Sequence, residues 1–133
     1  MAEIPTKFLT EKFILMITIQ RTHTTPRMSK IVTCGDLIYL CGQTAGGSDA
    51  TDMASQTAEA LSRVDALLEE AGSDKSRILT ALIHIKSMED FAAMNAVWDA
   101  WVPAGAAPAR TTVEANLATP QLLFEVTVVA ARR

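Results

Sequence analysis

Cysteine, histidine and aromatic residues are scarce in this sequence, and each scarcity removes a class of function. The 133 residues carry two cysteines (Cys34 and Cys41), two histidines (His23 and His84), and only 5% aromatics. Neither cysteine belongs to a CxxC pair or to zinc-ligand spacing, so redox-motif and structural-zinc readings fall away. Both sit in apolar runs, where a small thiol packs as a hydrophobe and no disulfide is expected. His23 lies in a polar stretch and His84 alternates with apolar residues. Each is expected to be structural or solvent-facing, and no cluster suggests a metal or other cofactor. Positive charge is short as well: 12 Lys and Arg against 15 Asp and Glu leave a net charge of -3. A dedicated nucleic-acid binder shows a basic patch or stripe, so nucleic acid is not an expected partner. No apolar run reaches the ~20 residues of a membrane-spanning helix. Glu3, Lys7, Glu11 and Lys12 interrupt the N-terminal stretch, unlike a secretory signal. A cytoplasmic protein without membrane association is the expectation. Gly46-Gly47-Ser48-Asp49-Ala50 lacks the spacing and the lysine of a phosphate-binding loop.

What is present is enough apolar sequence for one core. Hydrophobic residues make up 49% and charged residues 20%, the composition of a single folded domain. Residues 1–15 read as an N-terminal extension and 16–133 as one domain. A strand-like run begins at Met16, or Phe13 to Ile19 is itself the first strand. Residues 23–27 form a polar loop with a helix-breaking proline, Pro26. Lys30 to Cys34 and Leu37 to Gly42 flank Gly35-Asp36, the pattern of a hairpin. Thr51 or Asp52 can cap a helix that runs to about Ala71 and stops at Gly72. Its apolar stripe is Thr57, Leu61, Val64, Leu68 and Ala71, with Ala60 and Leu67 alongside. Glu59, Arg63, Glu69 and Glu70 fall largely on the other side, as solvated charges.

Ile78 to Lys86 alternates as a strand, with Leu79, Ala81, Ile83 and Ile85 on one face. Ser87 is placed to cap a second helix, with Asp90 three residues on as a capping-box partner. Phe91, Met94, Trp98 and Trp101 form its stripe, and Trp98 and Tyr39 are read as core. Two strands close the chain, over 110–117 and 122–130. The order β, β-hairpin, α, β, α, β, β gives an α+β fold with two helices on one face of a mixed sheet. The other face would carry Tyr39, Leu82, Leu123 or Val129 beside polar groups. A patch of that size usually finds a partner, so a homo-oligomer with its sheets packed inward is expected.

Two charges stand out in the closing strands. Arg110 heads the run Arg110 to Glu114, and Glu125 sits within the apolar run Leu122 to Thr127. Arginine offers a planar fork for a carboxylate. A glutamate in apolar surroundings is costly unless it is paired or lines a cleft, and there it can move a proton. Two plainer readings stand beside this one: a salt bridge from Arg110 to Glu114 on the same strand face, and an inter-subunit ion pair for Glu125.

Several stretches taken together carry a family resemblance. Ile38-Tyr39-Leu40-Cys41-Gly42-Gln43, Gln56-Thr57, Ala71-Gly72, Asp90 to Asn95, Pro108 to Glu114 and Phe124-Glu125-Val126 resemble, in order and spacing, the RidA/YjgF family, also known as endoribonuclease L-PSP. The resemblance covers about residues 27–133. It implies a chorismate-mutase-like fold and a homotrimer with clefts between subunits. It also implies hydrolysis of reactive 2-imino or 2-enamino acids to 2-keto acids and ammonia, without a cofactor. By this resemblance Arg110 binds the substrate carboxylate and Glu125 positions or activates water. Cys41 stands where members often have a serine, Asn95 matches an asparagine of the pattern, and Thr112 replaces a cysteine. Met28 replaces a tyrosine that many active members carry. The departure at Met28 bears on substrate range and rate. Two other readings stand beside the deaminase: a small-carboxylate-binding or chaperone-like trimer without turnover, and the endoribonuclease that the older family name suggests.

Overall fold

The computed structural model describes residues 3–133. It is built as one six-stranded mixed sheet. Helix α1 (Thr6–Ile17) leads into strands β1 (Ile19–Thr24), β2 (Ser29–Cys34) and β3 (Leu37–Leu40). Helix α2 (Met53–Glu70), β4 (Ile78–Ile85), α3 (Phe91–Trp101), β5 (Ala109–Glu114) and β6 (Phe124–Ala131) follow. The strands lie in the order β1-β2-β3-β6-β4-β5. Neighbours are antiparallel except β4 and β5, which run parallel through the α3 crossover. The expected α+β class with a mixed sheet holds.

Helix α2 follows its sequence pattern. Asp52 caps it by accepting from the Ser55 N–H at 2.7 Å, which satisfies one of the unpaired donors of the first turn. Gly72, at φ +80°, ends it in a conformation that costs glycine no Cβ clash. Thr57, Ala60, Leu61, Val64 and Leu68 are buried against the inward residues of β4 and β6. Inward on β6 are Phe124, Val126, Val128 and Ala130. Met94 and Trp98 of α3 complete the core.

The N-terminal reading is corrected. Residues 13–17, expected as strand, belong to α1, and the first strand starts at Ile19. A Lys7–Glu11 pair one turn apart supports that helix. His23 and Thr24, expected in a loop, lie in β1, and the turn is confined to 25–28. The first two residues of the proposed extension lie outside the described part.

Three further expectations shift. Leu79 does not share a face with Ala81, because β4 is paired as Ile78↔Ala130 and then Thr80↔Val129. Leu79 is the extra residue of a bulge and stands 46% exposed. Ser87 caps a short 3-10 turn, Met88–Asp90, by accepting from Glu89 N–H, and α3 starts only at Phe91 without a capping side chain from Asp90. Tyr39 is 44% exposed on the sheet face away from the helices, so it is not core. Leu82 is exposed on that open face too, whereas Leu123 packs against the core. The final strands are shorter than expected, spanning 109–114 and 124–131.

Candidate functional site

Arg110 is placed by β5 and held by α3. Its register partner is the buried Ala81, and Thr112 pairs with the buried Ile83. Cross-strand partners share a face, so Arg110 and Thr112 point to the helix side of the sheet. There α3 presents Phe91, Asn95 and Trp98, spaced i, i+4, i+7 along one stripe. Arg110 Nη1 donates to Asn95 Oδ1 at 2.8 Å. The guanidinium carbon lies 5.3 Å from the Trp98 ring centre and 5.9 Å from that of Phe91. This is cation–π packing of a planar cation. Behind it, the hydroxyl oxygen of Thr112 is buried without a hydrogen-bond partner. The alternative salt bridge to Glu114 is absent. Glu114 Oε1 instead accepts from the Met88 N–H at 3.1 Å.

Glu125 points the other way. It pairs with His84, whose neighbours in sequence, Ile83 and Ile85, are buried on the helix side. Glu125 and His84 therefore stand on the open face. The Glu125 carboxyl group lies over Gly42. A Cβ at Gly42 would come within 2.8 Å of its Cδ, so the missing side chain at 42 makes the room.

Cys41 sits next to this group. Burial pushes its thiol pKa up; a hydrogen bond from Gln43 and the charge of Lys30 oppose this, and the Glu125 carboxylate adds to the rise. Cys41 is therefore a protonated thiol at neutral pH rather than a nucleophilic thiolate. Alongside it runs an open cleft of about 480 Å³ walled by Met28, Lys30, Cys41, Gly42, Thr44 and Arg63, among others.

The charges of α2 are not simply solvated. Arg63 donates to Glu59 Oε1 at 3.1 Å and to the Thr44 and Gly46 carbonyls at 3.0 and 2.9 Å. It thereby pins the loop that forms the cleft wall. Glu70 meets His23 Nε2 at 2.7 Å, and Glu69 pairs with Arg133 at 3.1 Å.

The candidate residues thus fall into two groups. Met28, Cys41 and Glu125 lie by the cleft and Gly42, while Arg110, Asn95 and Thr112 lie at the β5 edge under α3. Strand β4 separates β6 from β5, and the two key charges are on opposite faces. One chain does not bring Arg110 to Glu125. Trp98, expected as core, is buried but also forms the bed for Arg110.

Gln56 is a positioning residue that periodicity alone passes over. Buried in α2, it donates to the Ala50 and Gln121 carbonyls and accepts from Leu123 N–H at 2.8 Å. It fixes the segment that leads into Glu125. A polar amide on the buried stripe beside Thr57 was the available signal. Among the described residues, no cluster of His, Cys, Asp and Glu could hold a metal ion. No helix among them is long and apolar enough to cross a membrane.

Comparison with known proteins agrees with this architecture. The family model described as Endoribonuclease L-PSP matches residues 18–132. RutC family protein YoaB of Escherichia coli is 45% identical over 115 residues, covering 86% of this chain and 99% of that protein. A RutC family protein of Haemophilus influenzae is 40% identical over 114 residues, covering 86% and 98%. Among solved structures, NMB1025 of Neisseria meningitidis, a member of the YjgF protein family, superposes with a TM-score of 0.85 at 43% identity, covering 89% of this chain and 98% of that one.

Proposed function

The chain belongs to the endoribonuclease L-PSP family of YjgF and RutC proteins, and from that premise we propose that it hydrolyses reactive 2-imino or 2-enamino acids to 2-keto acids and ammonia. The observation that carries this reading is the partner set of Arg110. Its guanidinium is bedded on two aromatic rings and bonded to the neutral Asn95. No acidic side chain among the described residues pairs with it. A cation so held, with donors to spare, suits an incoming carboxylate.

The chemistry asks for little more. A 2-imino acid protonated on nitrogen is already electrophilic. Water adds to the imine carbon while Glu125 takes a proton from it. That proton passes to the nitrogen of the resulting carbinolamine; the C–N bond then breaks as ammonia leaves, the C=O bond forms as Glu125 takes the hydroxyl proton, and the departing ammonia carries that proton away as ammonium. Charge and atoms balance without a redox step.

Because Arg110 and Glu125 lie on opposite faces, the site is completed between copies, in a homotrimer whose open sheet faces pack inward. Tyr39, Leu82 and Val113, exposed by 44, 40 and 38%, supply apolar area for that packing. The working unit is the part after α1, with the segment before it an extension; the family match, which starts at residue 18, supports a boundary there rather than between residues 15 and 16, which falls inside α1. Cys41, Met28 and Thr112 line the site around the substrate.

A second reading rests on Met28. Its thioether in the cleft wall has no proton to give, which favours carboxylate binding without turnover. One experiment separates the readings. Imino acids are generated with an amino-acid oxidase, semicarbazide competes for them, and keto-acid formation is measured with and without the protein. Diversion to keto acid that is lost in Arg110→Ala, with the oligomer intact, is the expected result. Carboxylate binding with no turnover across an imine panel would replace it with the second reading. RNA cleavage that survives Arg110→Ala would point to the older family name.

A further inference from the structure

We propose that His84 is a positioning residue for Glu125: its ring N–H holds one carboxylate oxygen and leaves the other to water. The proposal rests on the hydrolytic reading above, which gives Glu125 its task.

Three observations lead to it. First, His84 Nδ1 is buried and makes no hydrogen bond in the single chain, a state that costs free energy and calls for a partner. Second, His84 of β4 and Glu125 of β6 are direct register partners on the open face. Side chains so paired have Cβ atoms ~4.5–5.5 Å apart, within reach of a ring and a carboxylate. Third, the Glu125 carboxyl group lies over Gly42. It is the free end of a flexible side chain, and rotation about its own torsions carries it toward the imidazole.

The surroundings favour this partner. From β5, Val113 pairs with His84, and Thr111 lies two residues back on the same face. Neither is charged. Along β4, Leu82 is apolar. Lys86, just past the strand, is engaged by its Nζ with the Pro120 carbonyl at 2.7 Å. Among the described residues, Glu125 is the one charged group that meets His84 across a strand pair.

An imidazole N–H at Nδ1 is the donor that would meet the carboxylate. It fixes which carboxylate oxygen takes the proton from water and returns it to the leaving nitrogen. Misplacing a reacting group by about 1 Å costs on the order of 100-fold in rate, so orientation of this carboxylate is a large lever.

The test compares His84→Phe, which fills the space without a donor, with His84→Gln, which keeps an N–H. In the oxidase-coupled imine assay, His84→Phe should lose roughly 10- to 100-fold in kcat with KM changed less than about twofold, and should melt no lower than wild type. His84→Gln should recover part of kcat. A purely packing role predicts the reverse: a lower melting temperature with kcat retained. That result in His84→Phe would overturn the proposal. A second readout does not depend on turnover. With saturating pyruvate as probe, the His84 ring N–H proton, assigned by its absence in His84→Phe, should show the downfield NMR signal of a carboxylate-bonded imidazole. It should lose that signal in Glu125→Gln. A protein that turns over no imine yet shows this signal has lost the hydrolytic reading but kept the contact. A resonance indifferent to Glu125→Gln sinks the contact whatever the assay shows.

Discussion

Arg110 bonds Asn95 at 2.8 Å while Glu114, four residues along the same strand, gives its carboxylate to the Met88 N–H at 3.1 Å. The arginine is thus oriented without being neutralised. A charged hydrogen bond of this kind contributes about 1.5–3 kcal/mol, and here it acts on the direction of the guanidinium fork. Asn95→Ala is expected to raise KM for 2-imino acids on the order of tenfold while leaving kcat within about threefold, because binding of the carboxylate is common to ground and transition states. Arg110→Lys should do more damage, since an ammonium cannot reproduce the planar stack on Trp98 and Phe91. Steady-state kinetics on one imine series, with oligomer mass checked for each variant, reads both effects.

Gly42 is the second test of geometry. Its φ is not in the left-handed region, so alanine is tolerated by the backbone there. The new Cβ would meet Glu125 Cδ at 2.8 Å and Oε2 at 3.0 Å. The side chain can swing, so the fold survives and the carboxylate moves. Gly42→Ala should keep the melting temperature within a few degrees and, because it only pushes the carboxylate off Gly42 and toward His84, should leave kcat within about threefold. A loss of roughly tenfold or more would mean that Glu125 acts from its seat over Gly42.

Much of this architecture was legible because it is local. The α2 stripe, its Asp52 cap and its Gly72 stop are set by residues within a few positions of one another, and so is the hairpin turn at Gly35-Asp36. The failures are of another kind. The run Phe13 to Ile19 has strand-forming residues, but α1 extends through Ile17 and carries the Lys7–Glu11 pair. Simple alternation puts Leu79 on the wrong face, because its bulge depends on the partner strand β6. The site shows the limit most clearly. Alternation within each closing strand correctly grouped Arg110 with Thr112, and Glu125 with Thr127. Whether those two sets share a face depends on the register of both strands against β4, a long-range property. Sequence spacing could therefore name Arg110 and Glu125 but could not reveal that β4 and the thickness of the sheet stand between them.

Gln56 carries the load of connecting α2 to the approach to β6. Its amide satisfies the Gln121 carbonyl at 2.9 Å and the Leu123 N–H at 2.8 Å in a buried setting. Gln56→Leu has a similar volume but strands these backbone groups, at about 1–3 kcal/mol. Urea unfolding should show a lower midpoint with an unchanged slope. Gln56→Glu should be worse at neutral pH, because it places a charge opposite the Gln121 carbonyl and lacks the amide donor.

Acid stability is expected to depend on Asp74. Its carboxylate accepts from the Ser76 hydroxyl, from Ser76 N–H at 2.9 Å and from Arg133 Nε at 3.1 Å. The Ser76 hydrogen bonds, with Arg133 next, hold its pKa below the usual carboxylate value. Asp52 is depressed in the same direction by its cap bonds to Ser55. For a group whose folded pKa is depressed, the unfolded chain binds the proton first. The stabilisation is therefore complete above the unfolded value of about 4 and is lost as pH falls through the lower folded value. Unfolding monitored by circular dichroism should show stability level from about pH 7 to 5 as far as these groups are concerned, then declining below about pH 4. Asp74→Asn should lower stability at pH 7 and flatten that decline. Because the pairs are exposed, added salt should weaken the Arg133 share while leaving the Ser76 bonds. An acid limb as steep in Asp74→Asn,Asp52→Asn as in wild type would show that other carboxylates govern it.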